Sequence, residues 1–177
     1  MPSRGGYQAG VSATASASSV NGAGASPAGR PLGAYAALTG AYLAAAGGSA
    51  VALRRCGREL PERIAGSDLL LIGIAAHKIS RLLAKDRVSA FVRAPFTRYQ
   101  HAGGHGEVEE QPVGSGLRLA IGELLVCPYC LGQWFATALA IGLIASPRPT
   151  RAISSVFVAH TIADFLQLAY RAAEERA

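Results

Sequence analysis

GELLVCPYCLGQWFATALAIGLI, residues 122–144, is the stretch that decides how this chain is read. No charged residue appears between Glu123 and Arg148. The run predicts one long helix over 117–145, of the length a bilayer core demands, stopped by Pro147 and Pro149. Pro128 lacks an N–H and crowds the preceding turn, so it should kink that helix or start a new one. Glu123, Cys127, Cys130 and Trp134 fall at i, i+4, i+7 and i+11, one face of a helix.

Further apolar runs lie on both sides. Leu32 to Leu53 is 22 residues without a charge, which predicts an N-terminal spanning helix over 31–54. Gly40, Ala44, Gly48 and Ala52 recur on it as a stripe of small residues against which another helix could pack closely. A short polar link with Cys56 among arginines follows, Cys56 reading as a surface thiol. Residues 67–86 open with Ser67 as a candidate cap and Asp68 at the positive helix end. They continue apolar to Ala76, then place Lys78, Arg81 and Lys85 on one face. This helix either spans with those cations turned inward or dips and snorkels. The last apolar run is Ile153–Tyr170, and 171–177 is a charged, water-exposed end.

Composition supports the same class. Half of the chain is apolar, 16% is charged, and mean hydropathy is +0.26, against about 25% charge in ordinary soluble domains. Residues 1–30, rich in Ser, Ala and Gly, cannot bury enough surface to order themselves and read as a disordered tail. The net charge of +6 comes mostly from arginines that flank apolar runs, which suits anionic lipid headgroups. Zinc fingers, RNA-recognition signatures and basic helices with interleaved aromatics are missing, so nucleic acid is not expected as a partner.

The fold class expected is therefore all-α, an integral membrane helical bundle of three or four transmembrane segments, with 67–170 as the membrane domain. Residues 87–116 read as a polar connection. Its first part, RVSAFVRAPFTRY, is interfacial in character, and its second, HAGGHGEVEEQPVGSG, is a loop holding His101 and His105. Segment 85–118 carries Lys85, Arg87, Arg93, Arg98 and Arg118, whereas 146–152 carries only Arg148 and Arg151. The positive-inside rule then puts 85–118 and the C-terminus in the cytoplasm of a multi-pass protein of the inner membrane.

Each polar face has to be hidden from lipid or reach water. His160, Asp164, Gln167 and Arg171 repeat the spacing of the Glu123 face, and Lys78, Arg81 and Lys85 form a third. The expectation is that all three faces meet, so that Lys78 and Arg81 both face Glu123 or Asp164, Arg81 pairing first with Asp164 or Glu123. A histidine four residues from a carboxylate, as His160 is from Asp164, can relay protons or simply be hydrogen-bonded in place. Trp134 is either an anchor between helices or the wall of a small cavity.

Cys127-Pro128-Tyr129-Cys130 admits several readings. The two sulfurs pack as small apolar groups between close helices, which is the commonest use of buried thiols. They act in thiol–disulfide chemistry, as in glutaredoxins, although no strand precedes the motif. They hold half of a zinc site, with His160 or His77 as further ligands. They form a regulatory disulfide. No metal or other cofactor is assigned, and Cys127 and Cys130 are weak candidates for holding zinc.

LLLIGIAAHKISRLLAKDRVSAFVRAPF, EVEE, GLRLAIGELLVCPYCLGQWFATALAIGLI and ADFLQLAY together resemble the bacterial domain of unknown function family 1360, over about residues 67–170. The most specific block is Glu123, Cys127, Pro128, Cys130, Gly132 and Trp134; a second is Lys78, Ser80, Arg81 and Leu82. The resemblance implies a small integral membrane protein and carries no catalytic role. The function expected is a structural or interaction component of the bacterial envelope, in contact with itself or another membrane protein, and more naturally not an enzyme. The alternatives are a membrane thiol-redox or metal protein acting through Cys127 and Cys130, or a small transporter component using Arg81, Glu123, His160 and Asp164.

Overall fold

The computed structural model describes residues 30–59 and 61–176; the expected disordered tail lies almost wholly outside them. In chain order the elements are α1 (Leu32–Arg55), α2 (Gly66–Lys85), a 3-10 turn (Arg87–Ser89), the single turn α3 (Ala90–Arg93), β1 (Thr97–Ala102), β2 (Val108–Pro112), α4 (Gly116–Val126), α5 (Pro128–Ala145) and α6 (Pro147–Glu174). α1, α5 and α6 are each long and apolar enough to cross a membrane.

Residues 117–145 do break where Pro128 predicts. Cys127 is extended (φ −101°, ψ 100°), and Pro128 occupies the first turn of α5, where its missing N–H leaves no bond unmade. Pro147 plays the same part in α6, so the prolines after Ser146 open a helix as well as closing one. α2 starts one residue earlier than expected. Ala65 is its N-cap and makes no side-chain cap bond, so Ser67 sits inside the first turn rather than capping it.

Paired side chains give the helix directions. Asp68 meets Arg151 and Lys78 meets Asp164, so α2 and α6 run parallel. Tyr35 meets Glu123 and Tyr42 meets Thr137, so α1 runs alongside α4 and α5. Only Ser146 separates α5 from α6, which turns them antiparallel. The result is up-down-up-down: the 56–65 link and the α5–α6 corner lie at one end, residues 86–115 at the other. At the α5–α6 corner, a Cβ on Gly142 would come within 2.8 Å of Thr150 Oγ1, so glycine permits the tight approach.

α2 is the centre of the core, packed on α5 and α6. Ile72, Ala75, Ala76, Ser80 and Ala84 are buried along it, as are Thr150, Ser154 and Thr161 on α6. Small residues let the backbones approach closely. The two blocks that carry the family resemblance meet here, since a Cβ on Gly132 would rest 3.8 Å from Ser80 Oγ. The small-residue stripe of α1 faces outward, with nothing within 4 Å of a Cβ built on Gly40 or Gly48.

The fold is not wholly helical. β1 and β2 form a two-stranded antiparallel hairpin, with Thr97 opposite Pro112, Tyr99 opposite Glu110 and Ala102 opposite Val108, and a bulge between Tyr99 and His101. The expected loop at 101–116 therefore contains all of β2 and the last two residues of β1. Arg93, 0% exposed, fastens this hairpin to the bundle. Its Nε donates to Glu110 at 2.7 Å, and its other nitrogens donate to Leu83 O, Ser89 Oγ and Asp86 O. Thr97 Oγ1 also donates to Glu110, at 2.9 Å. A cation bonded to the last carbonyls of α2 satisfies acceptors that the helix end leaves open.

Candidate functional site

The polar residues of the helices gather in two places rather than one. The first is a cavity of about 440 Å³ between α2, α6 and the hairpin turn. Helical spacing brings Lys78 and Arg81 to it from α2 and His160, Asp164, Gln167 and Arg171 from α6; the turn adds His105 and Glu107.

Lys78 is 7% exposed and donates to Asp164 Oδ2 at 2.6 Å. A buried ammonium is tolerated only with such a partner. The expected pairing of Arg81 with Asp164 or Glu123 is not what forms. Arg81 Nη2 instead lies 2.8 Å from Glu107 Oε1, because one turn beyond Lys78 the helix face has reached the hairpin turn. Lys85 follows the same path to Glu109, at 2.7 Å. His160 Nε2 stands 3.9 Å from Asp164 Oδ1, both side chains being partly exposed. Arg171 Nη1 lies 2.6 Å from Nδ1 and 2.9 Å from Nε2 of the His105 ring. Asp86, just past the end of α2, also lines the cavity. Burial pushes its carboxyl above the ordinary range, and the positive field of Lys78 offsets only part of that.

The second place is a cleft of about 380 Å³ between α1 and the α4–α5 pair, lined by Tyr35, Tyr42, Glu123, Cys130, Gln133 and Trp134 among others. Glu123 therefore faces α1 and not the cations of α2. Tyr35 Oη donates to Glu123 Oε2 at 2.6 Å. Tyr42 Oη is 2.7 Å from Thr137 Oγ1, and its ring meets Trp134 edge-on, centroids 5.2 Å apart. Trp134 is thus both an inter-helix anchor and a cavity wall. Tyr35 and Tyr42 went unremarked in the sequence, although two phenols seven residues apart share a helix face.

Cys127 and Cys130 are joined in a disulfide, which corrects the reading of both as free packing thiols. The bond closes across the break before α5, and Cys130 N–H donates to Cys127 Sγ at 3.2 Å. Cys56 is free and exposed. The zinc arrangement with His160 or His77 is not assembled: among the described residues no three His, Cys, Asp or Glu side chains converge as a metal set.

The eight residues singled out in the sequence thus divide evenly: Lys78, Arg81, His160 and Asp164 belong with the polar cavity, Glu123, Cys127, Cys130 and Trp134 with the cleft or its mouth. The family model described as "Protein of unknown function (DUF1360)" matches residues 71–170, which include all or part of every element named above except α1. The chain is 35% identical over 88 residues to sporulation protein YjcA of Bacillus subtilis (strain 168), a match covering 48% of this chain and 75% of that one. It is 26% identical over 88 residues to UPF0713 protein YngL of the same organism, covering 49% of this chain and 65%, just under two thirds, of YngL. No solved structure gives a significant match. With more than half of its length matched by the family model, the chain belongs to the DUF1360 family.

Proposed function

We propose that this protein is a multi-pass component of the bacterial cytoplasmic membrane, with α1, α2, α5 and α6 crossing the bilayer, and that it serves a structural or interaction role in the envelope. The observation that carries this is the inverted distribution of polarity. Only 6% of the residues in the apolar windows of α1 and α5, and 11% in that of α6, are buried. Leu43, Val156, Phe165 and Leu166 point outward while Lys78 is buried and paired with the partly exposed Asp164. In water such a surface would aggregate; in lipid it is the solvated side. α2, which carries cations, runs shielded between α5 and α6.

Val88 and Phe91, each 78% exposed, stand beside Arg87 at the hairpin end, a combination suited to headgroups of anionic lipid. Orientation follows from basic residues at the two ends. The hairpin end has Arg30, Lys85, Arg87, Arg93, Arg98, Arg118, Arg171 and Arg176; the other has Arg54, Arg55, Arg58, Arg63, Arg148 and Arg151. Lys78 and Arg81 lie toward the hairpin end as well, which favours that end as cytoplasmic. The name of the relative YjcA supports sporulation as a process in which such a component would act.

The test is labelling of cells with a membrane-impermeant maleimide, in a Cys127→Ser/Cys130→Ser background. Cys56 is expected to label from outside, and a cysteine placed at His105 only after permeabilisation. Labelling of the two from the same side would overturn the reading.

A further inference from the structure

We infer that Cys127 and Cys130 form a working redox pair whose oxidant is a lipid-dissolved quinone bound in the cleft between α1 and α4–α5. Cys130, exposed at the start of α5, is part of the wall of that cleft, which has the volume of a small-molecule site. The remaining wall is what a flat, largely apolar ring with hydrogen-bonding oxygens requires. Leu38 and Leu124 supply apolar surface, Trp134 and Tyr42 aromatic surface, and Gln133 with the Tyr35–Glu123 pair supplies polar groups.

The need for an oxidant comes from the compartment. On the proposed orientation, on which this part rests, the disulfide sits at the cytoplasmic end, where thiols are kept reduced and disulfides are transient and catalytic or sensing. A bond formed there has to be remade by an electron acceptor that reaches it. The cleft lies on the flank of the bundle, so an acceptor held there comes from the lipid. The step balances with a quinone. The two S–H bonds of Cys127 and Cys130 break and one S–S bond forms. Two electrons and two protons pass to the two quinone oxygens, leaving hydroquinone. Two thiols of a protein or small molecule reduce the disulfide again by successive exchange and leave joined in a disulfide of their own.

The experiment uses the full-length protein with Cys56→Ser, purified in detergent, reduced with dithiothreitol and desalted, with decylubiquinone as probe. Decylubiquinone should be reduced in a one-to-one ratio with pairs oxidised, read from quinone absorbance and from remaining thiols. It should also quench the fluorescence of Trp134, the single tryptophan. Cys127→Ser should keep the quenching and lose the reduction, and Thr39→Phe, which fills the cleft, should weaken quenching at least tenfold. Thiols that stay free under decylubiquinone, or a Trp134 emission that does not respond, would overturn the inference. Because sidedness plays no part in detergent, a failed orientation and a failed redox pair give different results.

Discussion

Replacing Arg93 by alanine tests how the hairpin is held to the bundle. The Arg93 and Glu110 side chains are 0% and 6% exposed. Removing the guanidinium leaves Glu110 with Thr97 Oγ1 as its remaining donor among the bonds described above, and takes one donor each from the carbonyls of Leu83 and Asp86, which keep contacts from Ser89. Breaking a buried pair by removing one partner costs about 3–5 kcal/mol. At about 1.4 kcal/mol per decade, the unfolding constant should rise by roughly two to four decades. Denaturant unfolding in detergent, followed by Trp134 emission, measures it, and amide exchange in 97–112 should show the hairpin opening first. Arg93→Met combined with Glu110→Leu should restore much of the loss, because it removes both charges together. An Arg93→Ala protein within about 1 kcal/mol of wild type, outside the 3–5 kcal/mol expected for a broken buried pair, would refute the assignment of this clamp as structural.

Gly122→Ala should destabilise by about 1–3 kcal/mol, read as a lower Tm, since its Cβ would stand 2.6 Å from Phe96 O and 3.1 Å from Pro112 Cβ. A double-mutant cycle between Lys78→Met and Asp164→Asn should give a coupling of about 0.5–3 kcal/mol, while the Arg81→Met cycle with Asp164→Asn should fall below that range. Asp86→Asn should stabilise at neutral pH, because burial raises the native carboxyl. The native state then holds its proton more tightly than the unfolded chain, and wild-type stability falls as pH rises from the ordinary carboxylate value, about 3.9, through the raised one. The advantage of Asp86→Asn should therefore shrink as pH is lowered, measured as Tm against pH.

The helices long and apolar enough to cross a membrane were legible as uncharged runs of bilayer length, and Pro128 announced the break between α4 and α5. The α6 face of His160, Asp164 and Gln167 was also legible, since 3.6-residue periodicity is a property of sequence alone. Which faces meet was not. The extended backbone at Cys127 separates α4 from α5, and their shared face turned out to look toward α1. Arg81 went to Glu107 because a hairpin stands where Gly and Glu density suggested loop; its strands are short and mostly polar, so they lack the apolar alternation that marks a strand. Arg93 and Glu110, 17 residues apart, carry no local signal of their pairing. The disulfide needed the sulfurs' positions, since a pair separated by two residues suits thiol, metal and bonded states alike.

The central claim is that the outward faces of α1, α5 and α6 touch acyl chains while the Lys78–Asp164 pair is turned into the protein. Nitroxide labels at Leu43, Val156 and Phe165 of protein reconstituted in phospholipid vesicles measure this through collisions with oxygen and with a water-soluble nickel chelate. High oxygen and low nickel accessibility at all three is the predicted result. High nickel accessibility at these sites, with the protein remaining dispersed without lipid or detergent, would contradict it.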